Sequence, residues 1–182
     1  MGAQGSFSEE AARKYIETEK ISNPEIQYLI SGENVLGSLE AGKSDIGIFP
    51  IENSNGGIVI EAIYAMAKHH FSVKKIFEID VHQNLLVKRG INPEHITTIA
   101  SHDQALKQCR MYLKRKWPGV DLQEYADTAK AAADLSSGVL PETTAVIASK
   151  GAAELYGLDI LKESVQDLKF NFTSFIAAEC LP

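Results

Sequence analysis

Short apolar runs alternate with amphipathic helical stretches along nearly the whole chain, and this alternation restricts the fold more than any other feature. Strands buried on both faces read as continuous apolar runs, and parallel neighbours need a crossover, usually a helix, between them. The pattern therefore predicts an α/β fold with largely parallel sheets covered by helices. Ser6-Phe7-Ser8-Glu9 spells a capping box opening a helix to about Lys20, with Ala11, Ala12, Tyr15 and Ile16 inward. An extended stretch over Glu25–Ile30, a short helix over Asn34–Glu40 and a buried strand over Ile46–Phe49 ending at Pro50 follow. After the loop Asn53–Gly57 comes a helix to about His70, with Val59, Ala62, Ile63 and Met66 inward. Extended stretches cover 73–81 and 84–88, then strands at 98–101, 122–126 and 145–149 alternate with helices at 103–116, 128–135 and 150–156. The chain ends extended from Asn171 to Ala178, and segments 73–88 and 158–175 are the expected crossings between two lobes.

Composition narrows function by exclusion. Eighteen basic against 24 acidic residues give a net charge of −6, which argues against non-specific nucleic-acid binding. The one basic cluster, Lys114-Arg115-Lys116, ends a predicted helix, where cations complement the dipole. Cys109 and Cys180 follow no metal-ligand spacing, and there is no signal-like or membrane-length apolar segment. Two reduced cysteines in a cytoplasmic protein without membrane contact are the expectation.

Three helix starts carry small polar residues: Gly5-Ser6, the Asn53–Gly57 loop and Asp127-Thr128. Each alone reads as ordinary capping; converging, they would make an anion pocket from unpaired N–H groups. Pro50-Ile51-Glu52-Asn53-Ser54 delivers a carboxylate, an amide and a hydroxyl to the end of a buried strand, where α/β proteins bind ligands. The same residues also read as a turn satisfying its own backbone. One element is missing from the pattern. A βαβ unit opens with a strand that delivers a glycine-rich turn to a helix, yet Gly2-Ala3-Gln4-Gly5 follows Met1 directly. A sheet position that is empty or borrowed is expected there.

These motifs, in this order, resemble the prephenate dehydratase family over almost the entire chain. The family's Gly-Pro-x-Gly-(Thr/Ser)-Phe-Ser is followed by Gly2–Ser8 with Ala3 in place of the proline, and its Pro-Ile-Glu-Asn-Ser is identical at residues 50–54. Ser101–Cys109 follows the family's Ser-His-Pro-Gln-Ala-Leu-x-Gln-Cys with Asp103 in place of the proline. Thr128–Ala132 and Ala152–Leu158 match two further segments, and Asn171-Phe172-Thr173-Ser174-Phe175 matches Asn-x-Thr-Arg-Phe except at Ser174. The resemblance implies a two-lobed fold like type II periplasmic binding proteins, with a ligand cleft between lobe 1 (1–78 plus 165–182) and lobe 2 (79–164). It implies decarboxylating dehydration of prephenate to phenylpyruvate in phenylalanine synthesis, without metal or organic cofactor, by a cytoplasmic homodimer or tetramer. Thr173 would be the catalytic donor to the departing hydroxyl. Ser6, Asn53, Ser54, Gln83, Thr128, Asn171, Ser174 and Phe175 would contact substrate.

Departures from the family pattern gather where the ligand should lie. Ser174 replaces an arginine, the natural bidentate partner of a carboxylate; losing such a pair costs roughly 1.5–3 kcal/mol. Ile58 and Ile60 replace polar residues, and Gln83-Asn84 stands where the family has His-Cys. The resemblance covers the catalytic part of the family only, and the ACT-type sensor domain usual there has no counterpart within residues 1–182. Two other readings stay open: a prephenate decarboxylase that spares the hydroxyl, and a small-carboxylate-binding module without dehydratase activity. His69, His70 and His95 read as surface or packing residues, and His102 as structural.

Overall fold

The computed structural model describes residues 1–181, which fall into two compact units. One comprises Met1–Asp80 together with the chain from Phe172 on, and the other Val81–Asn171.

The first unit holds helices α1 (Phe7–Glu19), α2 (Gly32–Glu40) and α3 (Ile60–Lys68), and strands β1 (Gly47–Asn53), β2 (Gly57–Ile58), β3 (Phe71–Asp80) and β9 (Phe172–Cys180). Its sheet has the order β2-β1-β9-β3. Every pairing in it is antiparallel, contrary to the parallel sheet the alternation predicts. The reason is topological: the last strand of the chain enters between β1 and β3 and runs against both. Phe49, Ile176 and Ala178 of the sheet pack on Val35, Leu36 and Leu39 of α2 and on Ala62 and Ala65 of α3. Gly47 permits that approach, because a Cβ there would stand 2.7 Å from Val35 Cγ1 and 2.8 Å from Leu39 Cδ1. Ile63, expected inward, is 43% exposed, since the buried stripe of α3 runs through Ala62 and Ala65. Phe175 stacks on Phe77 at 6.0 Å, and Phe77 meets Tyr15 of α1 at 5.7 Å. Strand β1 also continues through Pro50 to Asn53 rather than ending at the proline. The proline is tolerated because its missing N–H falls beside a register shift in the pairing with β9.

The second unit holds β4 (Asn84–Val87), β5 (Thr98–Ser101), α4 (Asp103–Gln108), α5 (Arg110–Lys116), β6 (Asp121–Glu124), α6 (Thr128–Ser137), β7 (Thr144–Ala148), α7 (Lys150–Tyr156) and β8 (Asp159–Lys162). Its sheet order is β6-β5-β7-β4-β8. The crossover-connected strands β6, β5 and β7 are parallel, while β4 runs against both β7 and β8. Neighbouring Leu85 and Leu86 point to opposite faces and enter separate core clusters, as strand alternation requires. One holds Ile99, Leu106, Leu113 and Ile147; the other holds Ala131, Ala132, Leu135 and Val146.

The sequence predicts one helix over 103–116, but it breaks at Cys109. Asp167, far along the chain, supplies the cause. Its carboxylate accepts from Met111 N at 2.7 Å and Tyr112 N at 2.8 Å, capping a new helix start. Cys109 is fully buried at this break, and desolvation pushes its thiol pKa far up. Elsewhere the expected helix ends hold. Gly157 closes α7 with φ 64°, and Lys114, Arg115 and Lys116 occupy the last turn of α5. No helix among the described residues is long and apolar enough to cross a membrane, and no cluster of three His, Cys, Asp or Glu residues could hold a metal.

Candidate active site at the start of the central strand

Thr173 lies near the N-terminal end of β9, between Asn53 of β1 and Ile79 of β3, and is 8% exposed. Asn53 Nδ2 donates to Thr173 Oγ1 at 2.8 Å and to the Phe172 carbonyl at 3.2 Å. Asn53 Oδ1 in turn accepts from the backbone N–H groups of Asn55 at 2.9 Å and Gly56 at 2.8 Å. The amide is thereby fixed in one orientation. Ser54 clamps the same strand start: its N–H donates to Phe172 O at 2.8 Å and its Oγ accepts from Phe172 N at 3.0 Å. This geometry has a chemical consequence. The Thr173 oxygen accepts a hydrogen bond, while its own hydrogen meets no acceptor among the described residues. It is a positioned, unspent donor.

The neighbouring motif residues face other ways. Phe175 shares the Thr173 face but is 1% exposed and packs in the core against Phe77. Ser174 points to the opposite face, as alternation along a strand demands. Its cross-strand neighbours are Glu52 and Glu78, and its Oγ donates to Glu78 Oε1 at 3.1 Å. An arginine at this position would stand between two carboxylates of its own sheet, on the side away from Thr173. Ile58 and Ile60 are 59% and 56% exposed and fill no core. Ser6 caps α1, its Oγ accepting from Glu9 N at 3.3 Å, while Glu9 Oε2 accepts from Gly5 N at 2.6 Å. Burial raises the Glu9 pKa, but hydrogen bonds from Gly5, Arg13 and Tyr28 outweigh it and hold the carboxyl below its ordinary value.

In the second unit, Gln83 and Asn171 meet through a residue that motif reading quoted without giving it a role. Gln108 Oε1 accepts from Gln83 Nε2 at 3.1 Å and from Asn171 Nδ2 at 2.9 Å. Asn171 is wholly buried and also donates to the Val81 carbonyl at 3.1 Å. Gln83 is 4% exposed, and its Oε1 is a buried acceptor without a partner. Thr128 opens α6, which Asp127 caps by accepting from Lys130 N at 2.6 Å. Its signals in the sequence are that helix start and the Thr128–Ala132 segment that resembles the family. His102 caps α4 through Nδ1, in keeping with a structural role.

Thr173, Asn53 and Ser54 thus form one hydrogen-bonded cluster at the start of β9 in a mixed α/β protein. The prephenate dehydratase family model matches residues 1–179, and the chain belongs to that family. It is 33% identical to the bifunctional chorismate mutase/prephenate dehydratase of Stutzerimonas stutzeri, over 97% of this chain and 46% of that protein. It is 36% identical to arogenate dehydratase 1 of Petunia hybrida, over 96% of this chain and 40% of that one. The chain thus spans less than half the length of these two relatives. The crystal structure of the prephenate dehydratase of Arthrobacter aurescens in complex with L-Phe shares the fold, with a TM-score of 0.86 at 24% identity, covering all of this chain and 59% of that one.

Proposed function

We propose that the protein is a prephenate dehydratase, converting prephenate to phenylpyruvate, carbon dioxide and water. The observation that carries this reading is the Thr173 hydroxyl, held as an acceptor by Asn53 with its own hydrogen free, within the family's closing motif. In the reaction the bond to the ring carboxylate breaks and its electron pair enters the ring. The same flow expels the ring hydroxyl, and aromatisation drives both cleavages. A threonine hydroxyl is too weak an acid to protonate the leaving group outright. Its contribution is a donor placed where negative charge develops on the departing oxygen, with the proton that completes water drawn from solvent. The cofactor-free character of this chemistry, a cytoplasmic setting and self-association into a dimer or tetramer belong to the same proposal.

Ser174 does not weaken it. The residue lies on the face of β9 away from Thr173, where its Oγ donates to Glu78, so in this reading an arginine there would serve the sheet and not the Thr173 hydroxyl. Incubation of the pure protein with prephenate at neutral pH, followed by phenylpyruvate detection, tests the reading. Turnover no faster than the spontaneous reaction, with prephenate intact, would overturn it. The identity to the Petunia enzyme makes arogenate the second substrate to offer.

A further inference from the structure

The turn Ser54–Gly56 joins β1 to β2, and Asn55 and Gly56 within it are exposed. Of the seven asparagines in the chain, Asn55 alone precedes a glycine. That neighbour matters chemically, because an asparagine side chain is open to attack by the backbone nitrogen that follows it. Asn23 and Asn92 precede prolines, whose nitrogen has no hydrogen to give up, and Asn84 and Asn171 are buried. Glycine has no Cβ to obstruct the approach, and its backbone reaches angles closed to other residues.

Hydrogen bonds tie this turn to the candidate site. Asn53 Oδ1 accepts from Asn55 N at 2.9 Å and from Gly56 N at 2.8 Å, while Nδ2 of the same amide donates to Thr173 Oγ1 at 2.8 Å. The nitrogen able to attack Asn55 is therefore one of the two that orient the amide seating Thr173. In the folded chain its hydrogen is held by Asn53, so attack waits for the turn to open and runs slower than in a free peptide.

We propose that Asn55 is a self-modification site, at which deamidation dismantles the hydrogen-bonded cluster around Thr173. The Gly56 nitrogen attacks Asn55 Cγ, and the new C–N bond closes a five-membered succinimide. The bond from Cγ to the side-chain nitrogen breaks, and ammonia leaves with the hydrogen that Gly56 gives up. Water then opens the ring at either carbonyl, leaving isoaspartate or aspartate. In the isoaspartate the main chain passes through the former side chain and is one carbon longer. The Gly56 N–H is drawn off Asn53 Oδ1, and the pairing of Asn53 with Gly57 is displaced. Either product also sets a carboxylate two residues from Asn53, where it repels a substrate that carries carboxylates of its own. The modification stands apart from the dehydratase reading, and only its effect on turnover rests on that reading.

Incubation of the protein and of a peptide spanning residues 50–60 in mildly alkaline buffer tests it. Fragment mass mapping is expected to show a gain of one mass unit at Asn55 in both, later in the protein, with Asn34 unchanged. In the converted protein the Ser54 and Phe172 amides should exchange roughly three- to tenfold faster, the weight of one hydrogen bond. Prephenate turnover should fall in proportion to the converted fraction. Gly56→Ala obstructs the attack without backbone strain, since Gly56 has no positive φ, and should keep its own starting turnover through the same incubation. No conversion in the folded protein while the peptide converts overturns the proposal. Full conversion with unchanged exchange, or with more than half the turnover kept, overturns the link to Thr173 and the proposal with it. Conversion with faster exchange in a protein that never turned prephenate over confirms the modification and overturns the dehydratase reading instead.

Discussion

The two units handle the polar groups of the motif residues in opposite ways. In the first, hydrogen bonds around Thr173 hold its oxygen from one side and leave its hydrogen unspent. In the second, Asn171 and Gln83 converge on Gln108, so their donors are committed to holding the unit together. A polar residue in a motif can thus be there for chemistry or for architecture, and its sequence context looks the same. What separates Thr173 from Asn171 is the donor: the threonine hydrogen meets no acceptor among the described residues, while both amide hydrogens of Asn171 are taken.

Thr173→Val is the most direct way to break this contrast. Loss of a single donor to a developing oxyanion costs about 100- to 1,000-fold in kcat, so prephenate turnover should fall by that order with the melting temperature little changed. A variant retaining more than half the activity would return Thr173 to a purely structural role. Asn171→Leu makes the converse case, because it takes the buried side-chain donor from Val81 O and leaves Gln108 Oε1 with Gln83 alone. A loss of about 1–3 kcal/mol in denaturant unfolding is expected, with KM moved far less than in a substrate-contact variant. Ser174→Arg sharpens the comparison within one strand. An arginine between Glu52 and Glu78 should stabilise the first unit by about 0.5–1 kcal/mol and leave kcat/KM unchanged. A rise of ten-fold or more in kcat/KM would instead place this side chain at the substrate.

The smallest effect is a pH dependence confined to the first unit. His69 Nδ1 lies 2.8 Å from Glu40 and Nε2 lies 3.2 Å from Glu33, and the Glu40 bond is the largest cause of its raised pKa. Because the folded pKa is above the unfolded one, the stabilisation is fully present below the unfolded value of about 6.5. It is lost as pH rises through the folded value. His69→Gln should flatten the melting temperature between those limits, and an unchanged pH profile would remove His69 from the account.

Much of this was legible in the sequence, because local rules decide helix ends. The Ser6–Glu9 capping box, the stop at Gly157 and the basic last turn of α5 need only neighbouring residues, and they formed as read. The failures involve distant partners. The break at Cys109 depends on Asp167, and the antiparallel sheet of the first unit depends on the chain's final strand. Motif resemblance located Thr173, Asn53 and Ser54, which the structure brings into one bonded cluster. It could not tell that Ser174 turns away from them, because the side of a strand on which a residue falls is fixed by register. Gln108 stood in a quoted motif, yet its part as shared acceptor follows from Gln83 and Asn171 arriving from remote stretches of chain.

The interior thiol at the break between α4 and α5 doubles as a clock. With Cys180 exposed and Cys109 sealed and protonated, an alkylating reagent should modify the first at once and wait for the second. The delay measures how often the 81–171 unit breathes open, without any engineered probe.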